Sequence, residues 1–237
     1  SLVRTLGLCQ RLYNAMLWQR EMGRSRRLKW GRFRQEKQLA ELRRAFPEYG
    51  SVYTHVLQDL ARRHDLAFQA FFRRLKAGEK PGYPRFKARD RYDSLTFKEP
   101  SNGSVKVIGN RISFSKVVEN VRCFFHRPLL GTMRTVTVKR RASGWYVLFS
   151  CNDVPEGLVH GTGEVGVDLG VSSFATLSTG EEIANPRFLN DAAARIISAQ
   201  RKVSRCVKGS NRRRKARQIL RRLWERVAAN IPRDEML

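Results

Sequence analysis

The residue best placed to do chemistry is Asp168. It stands inside the run Gly163-Glu164-Val165-Gly166-Val167-Asp168-Leu169-Gly170-Val171, followed by Phe174-Ala175-Thr176-Leu177-Ser178-Thr179-Gly180-Glu181. The pattern predicts a hairpin of two buried strands. A carboxylate inside a strand core is costly to desolvate unless something pairs with it, and a divalent metal is such a partner. In a chain of net charge +26, a metal-binding carboxylate points to phosphodiester chemistry on nucleic acid. The competing reading is a turn-capping aspartate ahead of Gly170.

The elements that must position such a residue have ample material. The 237 residues are 41% hydrophobic, with four Trp and thirteen Phe, which supports a packed core and argues against a disordered basic tail. Lys and Arg number 47 against 21 Asp and Glu. The isoelectric point of about 11.1 lies well above the value of roughly 9 that marks nucleic-acid-binding domains. So large an excess repels itself unless a polyanion neutralises it. Cys9, Cys123, Cys151 and Cys206 include no CxxC pair and no histidine at ligand spacing, so neither a zinc site nor a disulfide scaffold is indicated. No apolar run approaches the ~20 residues of a membrane span, and no signal peptide is visible. A cytoplasmic, nucleoid-associated protein of prokaryotic type, monomeric and with no membrane partner, is expected.

Along the chain, residues 1 to about 77 read as helical. Leu2, Leu6, Cys9, Leu12/Tyr13 and Met16/Leu17 recur at helical spacing, and a basic link from Met22 to Gly31 follows. A second helix is expected from Phe33 to Ala45, stopping before Pro47. The third carries the stripe Val52, Val56, Leu60, Ala67, Phe68, Phe71, Phe72 and Leu75. Arg62, Arg63, Arg73, Arg74 and Lys76 lie mostly off that stripe and, with few local acids to pair them, read as phosphate contacts. After the breaker-rich loop Gly78 to Lys87, strands are expected at Leu95–Lys98, Val105–Ile108, Arg111–Phe114, Val121–Phe125, Arg134–Arg141 and Trp145–Cys151. Their number and spacing suggest a small antiparallel barrel. Residues 153 to 163 read as a linker, and Asn185-Pro186 as a helix start. Two basic helices follow, about 187–206 and 211–229, broken at Lys208-Gly209-Ser210. Between residues 201 and 226 stand twelve Lys/Arg and one acid, Glu225. Exposed helices held together locally would intersperse acids, so Lys202, Arg205, Lys208, Arg212, Arg213, Arg214, Lys215 and Arg217 read as a nucleic-acid face.

Three motifs in this order resemble the TnpB family, the RNA-guided nucleases of insertion-sequence elements related to compact type V CRISPR effectors. They are Gly82-Tyr83-Pro84-Arg85-Phe86-Lys87; Gly166-Val167-Asp168-Leu169-Gly170 with Phe174-Ala175; and Asn185-Pro186-Arg187-Phe188 running into Arg201-Lys202-Val203-Ser204-Arg205 and Lys208-Gly209-Ser210. The opening Thr5-Leu6-Gly7 with Arg11-Leu12-Tyr13-Asn14 is similar to the family's first recognition helix. The resemblance implies an α+β multidomain protein. Residues 1–94 would form a helical recognition domain, 95–157 a β-barrel-like wedge domain, and 158–237 the first part of an RNase H-like (RuvC) domain with an inserted basic helical hairpin.

The resemblance also implies a guide RNA and a double-stranded DNA target as partners, recognition of a short motif beside that target, and Mg²⁺- or Mn²⁺-dependent cleavage. Asp168 matches the family's first catalytic aspartate, a metal ligand. Arg85 and Lys87 fall in its basic loop motif, and Trp30, Thr54, Gln58 and Lys98 fall near positions that face the DNA motif. Gln58 could pair bidentately with adenine, with ordinary helix or loop surface as the competing reading for all four. The family's later Glu, its final Asp and its CxxC…CxxC zinc ribbon do not occur in these residues, and Asp234 and Glu235 stand in no recognisable catalytic context. The catalytic set is therefore expected to be incomplete in this chain, with zinc only in a ribbon outside it. A nuclease-deficient RNA-guided DNA binder and a general RNA-binding protein are the competing functions.

Overall fold

The structure, a computed structural model, describes residues 1–154, 164–185 and 187–230. The expected linker lies outside the described residues from 155 onward, as do Pro186, Asp234 and Glu235. The chain divides into two compact units, Ser1–Arg141 with Trp145–Pro155, and Ala142–Gly144 with Glu156–Leu237.

The first unit opens with α1 (Leu2–Ser25), α2 (Arg32–Ala45) and α3 (Thr54–Lys76). In α1 the apolar positions Leu6, Cys9, Leu12, Tyr13, Met16 and Leu17 are buried, as their spacing requires. Burial pushes the Cys9 thiol up to about 12, which makes it an inert core group. Helix α2 ends at Ala45 because Phe46, preceding Pro47, adopts an extended backbone. In α3 the buried face is Val56, Leu57, Asp59, Leu60, Ala61, His64 and Phe68, so two polar residues interrupt the apolar stripe.

Six strands follow: β1 (Ser94–Lys98), β2 (Val105–Ile108), β3 (Arg111–Phe114), β4 (Val118–Arg122), β5 (Thr132–Arg140) and β6 (Trp145–Asn152). They make two antiparallel three-stranded sheets, ordered β1-β5-β6 and β2-β3-β4. This corrects the expected barrel: no sheet closes on itself among the described residues. The meander β2-β3-β4 pairs locally, while β1 skips it to pair with β5, Phe97 opposite Val136. One core serves helices and sheets, joining Leu12, Leu57 and Leu60 to Phe97, Ile112, Phe114 and Val136. Gly131 has φ +73, and a Cβ there would strike the Asn152 carbonyl oxygen, so only glycine fits at the start of β5.

The second unit holds β7 (Val167–Leu169), β8 (Ser173–Leu177) and β9 (Glu182–Ala184) as one antiparallel sheet ordered β7-β8-β9, then α4 (Phe188–Arg205) and α5 (Asn211–Asn230). The two helices pack through Ile196, Ala216 and Val227, which are buried. Gly209 turns the chain at φ +87, and the Ser210 hydroxyl caps α5 by accepting from the Arg213 amide at 3.1 Å.

Candidate nucleic-acid interface and carboxylate site

Asp168 is the central residue of β7, paired with Thr176 of β8, which pairs in turn with Glu182 of β9. Directly paired residues share a sheet face, so Asp168, Thr176 and Glu182 form one polar row. Val167 with Leu177, and Leu169 with Ala175 and Ile183, fall on the opposite face. This corrects the expectation of a buried carboxylate. All three β7 residues are exposed, Val167 at 51% and Leu169 at 66%. Strand alternation places Asp168 on the sheet face opposite its apolar neighbours, and its side chain is exposed.

The row is well fixed. The Gly166 amide donates to the Ser178 hydroxyl at 3.0 Å and the Ser178 amide returns to the Gly166 carbonyl at 2.8 Å. Asn185 ties the end of β9 to the β7–β8 turn, its Nδ2 donating to the Val171 carbonyl at 3.0 Å while its Oδ1 accepts from the Arg187 amide at 3.0 Å. Glu182 accepts from the Ser173 hydroxyl at 3.3 Å. Among the described residues no three His, Cys, Asp or Glu converge as a metal-ligand group. Asp168 offers a single carboxylate, too few donors to hold Mg²⁺ or Mn²⁺ by itself.

The basic residues expected to touch nucleic acid divide into two kinds. Asp59 is 1% exposed and binds Arg62 through Nε and Nη2 at 3.2 and 3.1 Å and Arg63 through Nε at 2.5 Å. Arg63 also donates to the Ser94 hydroxyl at 3.0 Å and to the Thr96 hydroxyl, which meets Thr137 at 2.9 Å. This corrects the view that these arginines lack local acids. Asp59 clamps Arg63 against β1, whose Thr96 links on to Thr137 of β5, and Arg62 is its second partner. Sequence reasoning missed Asp59 although the signal was present: it precedes Arg62 and Arg63 by three and four residues, the spacing of helix ion pairs.

Lys87 is similarly committed. Its ammonium lies 4.5 Å from the Tyr13 ring centre and 5.3 Å from that of Tyr92. Burial, reinforced by Arg63, holds its pKa below the ordinary lysine range. The Lys87 backbone is clasped by Asn14, whose Nδ2 donates to its carbonyl at 3.0 Å and whose Oδ1 accepts from its amide at 2.9 Å; Gln10 adds a third bond at 2.5 Å. Two motifs distant in sequence, around Asn14 and around Lys87, thus form one structural joint. Arg213 caps α4 by donating from Nη1 to the Cys206 carbonyl at 3.0 Å, a use of helix-end charge that leaves it half-buried.

The second kind faces outward. Arg73, Arg74, Lys76 and Arg85 are exposed, Arg74 with only a loose approach to Glu79 at 3.7 Å. Lys202, Arg205, Lys208, Arg212, Arg214, Lys215 and Arg217 are exposed along α4 and α5. No acid lies within ion-pair distance of the first six of these among the described residues.

The motif-facing candidates sit in the first unit. Thr54 begins α3 and accepts from Arg43 at 2.6 Å; Gln58, one turn later, is exposed. Lys98 approaches Asp59 at 3.9 Å, while burial and Arg62 hold its pKa below the ordinary range against the pull of Asp59. The Trp30 ring lies under Arg34 at 4.3 Å and occupies the space where a Cβ on Gly23 would stand, which explains a glycine inside α1.

No helix among the described residues is long and apolar enough to cross a membrane. Comparison with known proteins agrees with the motif order. A family model described as probable transposase matches residues 149–232, covering the Asp168 sheet and both basic helices. A protein of Streptomyces pristinaespiralis named putative RNA-guided DNA endonuclease is 36% identical over 174 residues, 72% of this chain and 42% of the relative. Escherichia coli K12 has a putative RNA-guided DNA endonuclease InsQ, 31% identical over 179 residues, 75% of this chain and 41% of the relative. The chain thus spans about two fifths of the length of the curated relatives it matches. By its motif order, the matching family model and these two relatives, the chain belongs to the TnpB family.

Proposed function

We propose that this chain is the guide-binding and target-engaging part of an RNA-guided DNA endonuclease of a transposable element. In this reading α4 and α5 bind the phosphate backbone of the guide RNA. Trp30, Thr54, Gln58 and Lys98 lie toward the short DNA motif. Asp168 supplies one carboxylate to a Mg²⁺- or Mn²⁺-dependent RuvC site whose further carboxylates are not found among the described residues. The observation that carries the reading is the joint presence, within residues 149–232, of an exposed carboxylate on β7 and of Lys202, Arg205, Lys208, Arg212, Arg214 and Lys215, exposed with no acid within ion-pair distance among the described residues. Exposed cations without acids suit a polyanion, and a carboxylate held on a strand suits a ligand added from one face.

The test is Asp168→Ala in the purified protein with its bound RNA. Loss of metal-dependent DNA cleavage with unchanged RNA and DNA binding is expected, and undiminished cleavage would refute the nuclease role. A second reading, a guided DNA binder without cleavage, is favoured by the lack of any metal-ligand group among the described residues. It predicts that the unaltered protein binds its target and leaves it intact.

A further inference from the structure

The sheet β2-β3-β4 has an outward face that the fold does not use. Ile108, Arg111 and Arg122 lie in one cross-strand row, since Ile108 pairs with Arg111 and Arg111 with Arg122. The alternation of half-buried and exposed residues continues past β4, placing Val121, Cys123 and Phe125 inward and Arg122, Phe124 and His126 outward. Phe124 is 89% exposed, more than any other large apolar side chain among the described residues, and Ile108 is 76% exposed. Two features of this face are unfavourable in isolation. A phenylalanine fully in water forgoes the burial that the side chain ordinarily gains, and two arginines directly opposite one another repel. No acid forms an ion pair with Arg111 or Arg122 among the described residues. Asn120 holds the Arg111 guanidinium through Nη1, at 3.2 Å from its carbonyl and 3.3 Å from Oδ1, fixing the charge beside the row.

A ligand with a flat apolar face next to an anion relieves both. We infer that this face is a platform for one unpaired nucleotide of single-stranded RNA, the base stacked on Phe124 and the phosphate between Arg111 and Arg122. Aromatic rings stack on splayed bases of unpaired RNA, and arginine pairs readily with phosphate. The inference rests on the guide-RNA reading above and gives that RNA a contact on the first unit.

The experiment measures binding of a labelled 12-nucleotide oligouridylate to the full chain, freed of carried RNA by high salt, by fluorescence anisotropy across a salt series. Phe124→Ala is expected to weaken binding about tenfold with an unchanged salt slope, because stacking carries no counterion release. Phe124→Tyr should keep parental affinity. Arg122→Gln should lower the slope by about 0.7, the value for one phosphate contact on a single strand. Since Phe124 is exposed, thermal melting of Phe124→Ala should match the parent, so a loss of binding is not a loss of fold. Parental affinity in Phe124→Ala would overturn the platform and leave the guide-RNA reading standing. Failure of the parent chain to bind any RNA would overturn both. An equal Phe124 effect on oligothymidylate would overturn the assignment to RNA, and concentration-dependent self-association lost in Phe124→Ala, with RNA binding unchanged, would assign the face to a second copy of the chain.

Discussion

Replacing Asp59 with alanine removes the carboxylate that anchors Arg63 to the joint between α3 and strands β1 and β5. The carboxylate accepts three hydrogen bonds at 2.5 to 3.2 Å and lies 3.9 Å from Lys98. Removing one partner of a buried ion pair costs about 3–5 kcal/mol, because the other charge stays behind in a poor solvent. Here the arginine side chains are 41% and 30% exposed, so water recovers part of that loss. The expected cost is therefore about 2–3 kcal/mol. At about 2–4 °C per kcal/mol for a unit of this size, the melting temperature should fall by roughly 4–12 °C. Circular dichroism melting of the full chain reads it. A double-mutant cycle with Arg63→Met should return a coupling of about 1–2 kcal/mol, because the alanine no longer strands a charge. A melting point within about 1 °C of the parent, or additive single effects, would refute the clamp.

Three further outcomes follow from the same geometry. His64 is buried against Tyr13 and Phe68, both ring nitrogens without a hydrogen-bond partner, and burial with the Arg20 charge lowers its pKa to about 4 from an ordinary 6.5. The folded state binds its proton less readily than the unfolded one, so its stability is complete above about pH 6.5 and is lost as pH falls toward 4; His64→Phe should flatten that decline in a melting series, and an unchanged pH profile would contradict the assignment. Reversing both Arg212 and Arg214 to glutamate in one variant should weaken RNA binding and lower the salt slope by about 1.4 or more, whereas Arg213→Gln, which removes a cap, should lower the melting point with little change in slope; equal slopes for these two variants would remove α5 from the RNA face. Gly23→Ala forces the Trp30 ring from its seat, so it should reduce target-motif binding more than RNA binding, and equal losses would indicate general unfolding.

Much of the fold was legible where a local period governs it. Helix spacing located α1 to α5, and alternation located β2 and β3 to the residue. Barrel closure was not legible, because it depends on which distant strands pair: β1 crosses a whole meander to reach β5, and nothing local encodes that choice. The burial of Asp168 was misjudged for a different reason. A run of valine and leucine around one aspartate reads as a core, but in a strand each neighbour points the other way, and the partners Thr176 and Glu182 reveal a polar face only once the register is known. His64 follows Leu60 by four residues and precedes Phe68 by four, so its burial was readable from helical spacing alone. The split among the arginines was half legible. Asp59 stood at ion-pair spacing from Arg62 and Arg63, whereas the capping role of Arg213 needs the turn at Gly209 to bring it to Cys206.

A chain that binds a guide RNA as proposed should carry one specific RNA out of the cell. The most direct test is to purify the protein from cells holding its native locus and sequence the RNA that accompanies it. One discrete RNA with a constant scaffold and a variable end, retained through a high-salt wash, is expected. A heterogeneous mixture of cellular RNA released by that wash would contradict it and reduce the chain to a non-specific RNA binder.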